Sequence, residues 1–472
     1  MLIAVSASPA SPKNPSERET AMFDPLALEV VLTPRKQVLV DSPKHQLDLL
    51  LRLRAHEHEA SNRKRTPLAI SMVIDRSGSM AGGKLEQAKR SAVDIINRLH
   101  DHDSVSVISY DDTVEVHLEL MPVPSARIFI EHHLDQIYTR GGTNLHAGWL
   151  KGAETLAPRS NGNELCRVIL LSDGQANEGI TRTDRICDQV AELARAGITT
   201  TTVGIGLDFN EELMTAMANA GQGNAWYGER VEDLQDSFDS EMSFLTHLVF
   251  KQVQVIAHYT GHGLKMRNDI QSAAPHMWRV SGLAYGSEKW LAFSIPMQDA
   301  IHAQSRAHLR DEAQGGIIDF EIVLTNHDNQ SVSVHAKLMP LPVVDLEQYQ
   351  ATPEDELVGR RFQEVEMADL QREARNYVKD RNWEAVERMI NDLDRQSIDN
   401  PWVQKTIQYL RKLMDERDHL RMEKELMYSV HMMKSRSVAL DEGVSYSMNM
   451  ESIKPAFLRR KTHQGRNQDS QS

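Results

Sequence analysis

The chain has 472 residues, 53 lysines and arginines against 67 aspartates and glutamates, and 40% hydrophobic residues. That length points to about two to four structural units with real cores, which excludes a disordered acidic polymer. A net charge of −14 argues against a general binder of nucleic acid or of an anionic membrane. Two cysteines, Cys166 and Cys187, exclude a disulfide scaffold and a thiolate-rich zinc site. Met1 to Ser16 offers an apolar run of only Leu2 to Val5 and no basic residue before Lys13, unlike a secretory signal. Residues 1–24 are therefore expected to form a disordered leader. Nowhere does the chain hold the ~18 consecutive apolar residues of a membrane helix. The expectation is a soluble, cytoplasmic protein without a membrane span.

Between Leu26 and Arg54 the sequence partly alternates, most clearly at the end of Leu47-Asp-Leu-Leu-Leu-Arg-Leu-Arg, a strand signal with one buried face. Ser61 to Arg65 breaks it. From Leu68 short apolar runs alternate with amphipathic helices. The strands read are Leu68–Asp75, Ser104–Tyr110, Val114–Leu120, Arg167–Ser172, Thr199–Ile205 and Ala225–Gly228. The helices include Lys84–Leu99, Thr181–Ala196 and Val231–Phe250. This alternation predicts an α/β unit over 67–250, a mostly parallel sheet with helices on both faces. Asp111-Asp112-Thr113 is too short for a crossover, so Val114 must begin the second arm of a hairpin.

After Lys251 strand character returns without helices, in Val253-Gln-Val-Ile, Leu291-Ala-Phe-Ser-Ile, Ile317-Ile-Asp-Phe-Glu-Ile-Val-Leu and Val332-Ser-Val-His-Ala-Lys-Leu. These strands share a style with the early ones, which alone could not bury their apolar face. The reading is a discontinuous β-sandwich, 25–66 with 251–344, interrupted by the α/β unit. Residues 353–436 read as a helical bundle. Trp383, Val386, Met389, Ile390 and Leu393 mark one face, Asn400-Pro401 marks a helix start, and Ile407, Leu410, Leu413, Leu420 and Met427 follow. Residues 437–472 read as a flexible basic tail.

At the end of the first α/β strand stands Asp75-Arg76-Ser77-Gly78-Ser79. Gly141-Gly142-Thr143-Asn144-Leu145 enters a helix, and Leu171-Ser172-Asp173-Gly174 leaves a strand. Loops beyond the carboxyl ends of adjacent strands converge on one crevice, so Asp75, Ser77, Ser79, Thr143 and Asp173 are expected to meet. All are hard oxygen donors, which suit Mg²⁺, Mn²⁺ or Ca²⁺ rather than zinc or copper.

This set, with its order and spacing over Pro67 to Phe250, resembles the metal-ion-dependent adhesion site of von Willebrand factor type A domains. The wider layout resembles bacterial relatives of the calcium-activated chloride channel and inter-alpha-trypsin inhibitor heavy chain proteins. The resemblance implies a Rossmann-like α/β fold in which the two serines and Thr143 ligate the ion, with Asp75 and Asp173 acting directly or through water. It also implies an open position completed by an Asp or Glu of a protein partner. Acids between Asp441 and Glu451 could occupy that position from within the chain. Arg76, between the ligands, reads either as solvent-facing or as favouring an anionic partner.

Other motifs fare worse. His56-Glu57-His58-Glu59-Ala60 has alanine where a second zinc-binding histidine belongs. His132 and His133 are adjacent on a helix and cannot share a face. Gly204-Ile205-Gly206 has Phe209 in place of the third glycine of a dinucleotide loop, and Tyr110-Asp111-Asp112 reads as a turn. The leading expectation is a metal-dependent protein-binding adaptor that is not an enzyme. A metal-dependent phosphoester hydrolase and a structural assembly subunit are the alternatives.

Overall fold

The computed structural model describes residues 28–56, 66–228, 241–309, 316–396 and 401–426, with short interruptions, together with Ser8–Pro9 and Ser437–Ala439. Two compact units divide it. Among the described residues one spans 62–248, and the other joins residues before 62 to residues 249–447.

The chain begins with strands Ser8–Pro9 (β1), Leu28–Pro34 (β2), Leu39–Val40 (β3) and Gln46–Ala55 (β4). The α/β unit follows, with Leu68–Asp75 (β5), Lys84–Arg98 (α1), Ser104–Tyr110 (β6), Val114–Pro122 (β7), Val123–Asp135 (α2) and Leu145–Leu156 (α3). Leu165–Ser172 (β8), Thr183–Arg195 (α4), Ile198–Ile205 (β9), Glu211–Ala220 (α5) and Gln222–Gly228 (β10) complete it. Its sheet runs β10-β9-β8-β5-β6-β7. All neighbours are parallel except β7, which returns antiparallel beside β6.

Every residue of β5, β6 and β8 is buried, because helices cover both faces of these strands. Leu85 and Ile95 of α1 and Ile130 of α2 join the core on one face. Trp149 of α3, Ile186 of α4 and Leu213 of α5 join the core on the other. The strand order reverses at β5, whose neighbours are β6 and β8. The crevice for a ligand in such sheets lies at this reversal, beyond the carboxyl ends, where Asp75 and Asp173 stand.

The second unit resumes with Leu248–His258 (β11), Lys265–Met266 (β12), Ser272–Ala274 (β13), Met277–Val280 (β14), Leu283–Ala284 (β15) and Ser287–Pro296 (β16). Met297–Leu309 (α6), Ile318–Asn326 (β17), Ser331–Leu338 (β18), Val343–Val344 (β19) and Leu346–Ala351 (α7) come next. Glu356–Lys379 (α8), Trp383–Gln396 (α9), Pro401–Glu416 (α10) and Ser437–Ala439 (β20) close it. One sheet orders β1-β18-β17-β11-β14-β13 and another β12-β16-β4-β2.

A single core holds Leu49, Leu51 and Leu53 of β4 with Phe293 of β16 and Phe320 of β17. The Phe293 and Phe320 ring centroids are 4.6 Å apart. Leu50 and Trp290 point the other way, onto Val358, Phe362 and Val365 of α8. β4 is therefore buried on both faces, which explains its three consecutive leucines. Helices α8, α9 and α10 share a further core through Val378, Val386, Ile390, Ile407 and Leu410.

The structure departs from the sequence reading at several points. Helix α6 was unforeseen, because the apolar run of β16 continues into it through Met297. Pro296 cannot donate to a ladder, and Met297, Ala300 and Ala303 then bury at helical spacing. Leu248 to Phe250, expected in a helix, open β11 instead. Residues 231–240 of that expected helix lie outside the described residues. Ser8–Pro9, in the expected leader, pairs with β18, and Ser437–Ala439, in the expected tail, pairs with β16. Asn400, the side chains of Leu393, Leu420 and Met427, residues 57–60 and Asp441 to Glu451 lie outside the described residues. Among the described residues no helix is long and apolar enough to cross a membrane.

Candidate functional site

Asp75 is the last residue of β5 and is fully buried. Its Oδ1 accepts the Ser77 N–H at 2.9 Å, which curls the next three residues into a tight loop. Ser77 and Ser79 then place their hydroxyl oxygens 3.1 Å apart. The second loop joins the first where Gly78 N–H donates to the Gly141 carbonyl at 3.2 Å. Gly141 has φ +66°, and a Cβ there would lie 2.9 Å from Asp112 Oδ1, so glycine is favoured at this turn. The third loop joins the second through Thr143. Its N–H donates to Asn177 Oδ1 at 2.7 Å, and its carbonyl accepts the N–H groups of Asn177 and Glu178, both at 3.1 Å. Backbone bonds thus tie all three loops into one cluster.

Asp75 and the third loop are also linked directly. Ser172 Oγ donates to Asp75 Oδ2 at 2.6 Å and accepts the Gly174 N–H at 2.7 Å. The Tyr110 hydroxyl lies 3.1 Å from Asp75 Oδ2 and 3.0 Å from Ser172 Oγ. Burial pushes the Asp75 carboxyl above its usual range, against the hydrogen bonds from Ser172 and Ser77, and the Asp173 carboxylate adds to the rise. Burial, with the Asp75 charge beside it, also holds the Tyr110 phenol well above its usual range, so Tyr110 is a donor here. Asp173, fully buried, receives the Lys84 ammonium at 3.3 Å.

Arg76 neither faces solvent nor awaits a partner. It is 2% exposed. Its Nε donates to Asp111 Oδ2 at 2.9 Å and its guanidinium reaches Glu115 at 2.6 Å. Arg140 Nε shares Asp111 Oδ2 at 2.6 Å. Burial works against the Asp111 charge, but Arg140 and the Thr113 N–H and hydroxyl hold its carboxyl well below the usual carboxylate range. This cluster pins the hairpin turn beside the first loop, a role that the turn reading of Tyr110-Asp111-Asp112 missed. Gly204 leaves room for the Phe209 ring, since a Cβ there would lie 2.6 Å from it. That packing accounts for the glycine without a nucleotide loop.

The donor set fits a hard divalent ion. Among the described residues no three side chains drawn from His, Cys, Asp and Glu gather to hold a metal. An ion here must therefore rely on hydroxyls as well as carboxylates. Oδ2 of Asp75 accepts from both the Ser172 and the Tyr110 hydroxyls, whereas Oδ1 accepts the Ser77 N–H on the side of the loop. The Ser77 and Ser79 hydroxyls face each other at 3.1 Å, and Thr143, 2% exposed, stands on the neighbouring loop.

Sequence reasoning missed Tyr110, Ser172, Asn177 and Lys84. Ser172 stood inside the quoted motif, and Tyr110 ends the strand beside β5, so both carried a positional signal. Asn177 and Lys84 carried none.

The site thus stands at the strand-end loops of an open α/β sheet. Residues 70–240 match the family model of the von Willebrand factor type A domain, and the chain contains that domain. The uncharacterized protein sll0103 of Synechocystis is 28% identical over 195 residues, covering 41% of this chain and 44% of that protein. Human inter-alpha-trypsin inhibitor heavy chain H3 is 29% identical over 182 residues, covering 36% of this chain and 20% of that protein. The chain thus spans less than half the length of these relatives. The solved von Willebrand factor type A protein of Catenulispora acidiphila shares the fold at TM-score 0.64 and 14% identity, over 89% of this chain and all of that one. The ArnB paralog VWA2 of Sulfolobus acidocaldarius does so at TM-score 0.56 and 15% identity, over 86% and 99%. Domains of this family generally mediate metal-dependent protein–protein interactions and are generally not enzymes.

Proposed function

We propose that this chain is a metal-dependent protein-binding adaptor. Asp75, Ser77, Ser79, Thr143 and Asp173 would hold one Mg²⁺ or Mn²⁺, and an Asp or Glu of a protein partner would complete the site. The observation that carries this is the clustering of two fully buried carboxylates with three hydroxyls on loops cross-bonded at Gly78–Gly141 and Thr143–Asn177. Such an ion supplies an open, positively charged coordination position. The protein's own part is to fix the loops before any ligand arrives. Tyr110 and Ser172 hold Asp75 in place from behind, and Asn177 fixes the backbone of Thr143.

Calorimetry of Mg²⁺ with the wild type, Asp75→Ala and Thr143→Ala tests the ligand set. One site is expected in the wild type, none in Asp75→Ala, and weakened binding in Thr143→Ala, with circular dichroism unchanged in all three. Equal affinity in the wild type and Asp75→Ala would remove the assignment. A pull-down from native extract with and without chelator then tests the partner reading, which needs proteins lost on chelation. Turnover of p-nitrophenyl phosphate in Mg²⁺ would instead favour hydrolysis.

A further inference from the structure

We propose that Lys84 is a built-in counter-cation of this site, which neutralises Asp173 in the ion-free protein and thereby limits how tightly an ion binds. The proposal rests on the reading above that the site takes a divalent ion, and it assigns a role to a residue outside the ligand set. Lys84 is the first residue of α1, after a Gly83 cap that offers no side chain to the helix end. A cation at a helix N-terminus opposes the macrodipole, and the helix gains nothing from it there. What the position provides is reach. The Lys84 ammonium lies 3.3 Å from Asp173 Oδ2, and the Lys84 side chain is 17% exposed while that of Asp173 is 0% exposed. Among the described residues the other Asp173 oxygen accepts a long 3.4 Å bond from the Gln175 N–H. Lys84 is thus the group that offsets the charge of a carboxylate withdrawn from water.

The charge count shows the consequence. Asp75, Asp173 and Lys84 together carry one net negative charge, and the hydroxyls add none. A divalent ion turns that into one net positive charge. Without Lys84 the same ion would meet two uncompensated carboxylates and leave the cluster neutral. Lys84 therefore opposes ion binding by direct repulsion and by the loss of its own ion pair. It also leaves the loaded cluster with the one positive charge that a single acidic side chain would neutralise.

The test is calorimetry of Mg²⁺ and Mn²⁺ into the full chain, as wild type, Lys84→Met and Lys84→Arg, with thermal unfolding of each in chelator. Methionine keeps an unbranched apolar stem and removes the charge. Lys84→Met is expected to bind both ions on the order of tenfold more tightly and to melt at lower temperature than wild type in chelator, the gap narrowing with saturating Mg²⁺. Lys84→Arg keeps the charge and should stay within about threefold of wild type. If wild type binds Mg²⁺ and Lys84→Met binds it equally or more weakly, the counter-cation role is overturned while the metal site stands. If wild type binds neither ion, the metal reading itself fails and this inference falls with it. Should Lys84→Met not fold, Lys84→Gln serves with the same expectations.

Discussion

Lys289, near the start of β16, is 5% exposed, and its ammonium contacts the Ser281 hydroxyl. Burial alone lowers its pKa from 10.5 to about 8. The sign follows from linkage. Between pH 8 and pH 10.5 the unfolded chain holds this proton more firmly than the native one. The Lys289 contribution to stability therefore rises with pH across that window, and below it the buried charge is a standing cost. Lys289→Met should accordingly be more stable than wild type at pH 7, with the advantage shrinking toward pH 10, as urea unfolding at both pH values would show. A constant difference would mean that the charge is not what matters. Residues of this kind were not legible in the sequence, where Lys289 reads as one more polar strand position. Arg76 was misread for the same reason, since its partners Asp111 and Glu115 lie far along the chain and meet it only through the β5–β6 pairing. Asp75, Ser77, Ser79, Thr143 and Asp173 were legible as candidates because local loop chemistry carries them.

Helix α3 approaches the sheet closely enough that its small residues become part of the site. A Cβ on Gly148 would lie 2.4 Å from the Tyr110 ring, which is fully buried. Gly148→Ala should therefore force the phenol aside and cost about 1–3 kcal/mol by overpacking. Because Tyr110 also contacts Asp75, the same variant should weaken Mg²⁺ binding if the site is a metal site. Urea unfolding and calorimetry on one preparation would separate the two effects. The elements of the α/β unit were legible where periodicity is clean, as in Leu85, Ala88, Ala92 and Ile95 of α1 and in the unbroken apolar run of β5. Helix α6 was not, because its buried Ala300 and Ala303 are small residues that give little hydrophobic contrast.

The two units differ in how they are assembled from the chain. Among the described residues the α/β unit runs over 62–248 without interruption by the other unit, which draws strands from both sides of it. β4 lies between β16 and β2, pairing with β16 over ten residues from Gln46–Pro296 to Ala55–Ser287. A fragment spanning 62–248 is thus expected to fold alone. A fragment spanning 249–447 should not, since it lacks Leu49, Leu51 and Leu53 from its core and leaves β16 without its long partner. Dispersed amide spectra from the first and collapsed spectra from the second are the expected result, with recovery when 26–61 is added in trans. A well-dispersed spectrum of the second alone would contradict this. This relation could be argued from the sequence only through the early strands, too few to cover their own apolar face.

That same pairing sets a timetable during synthesis. Ala55 meets Ser287 about 230 residues further along the chain. At ~5–20 residues per second, the β2–β4 hairpin leaves the ribosome roughly 10–50 seconds before its partner exists. The intervening α/β unit, self-contained and emerging whole, can fold in that interval. The waiting hairpin cannot, and it exposes Leu47, Leu49, Leu51 and Leu53 on an open edge throughout. A chaperone that shields short apolar strands should therefore be bound to nascent chains halted between Ala55 and Ser287, and released once β16 has emerged.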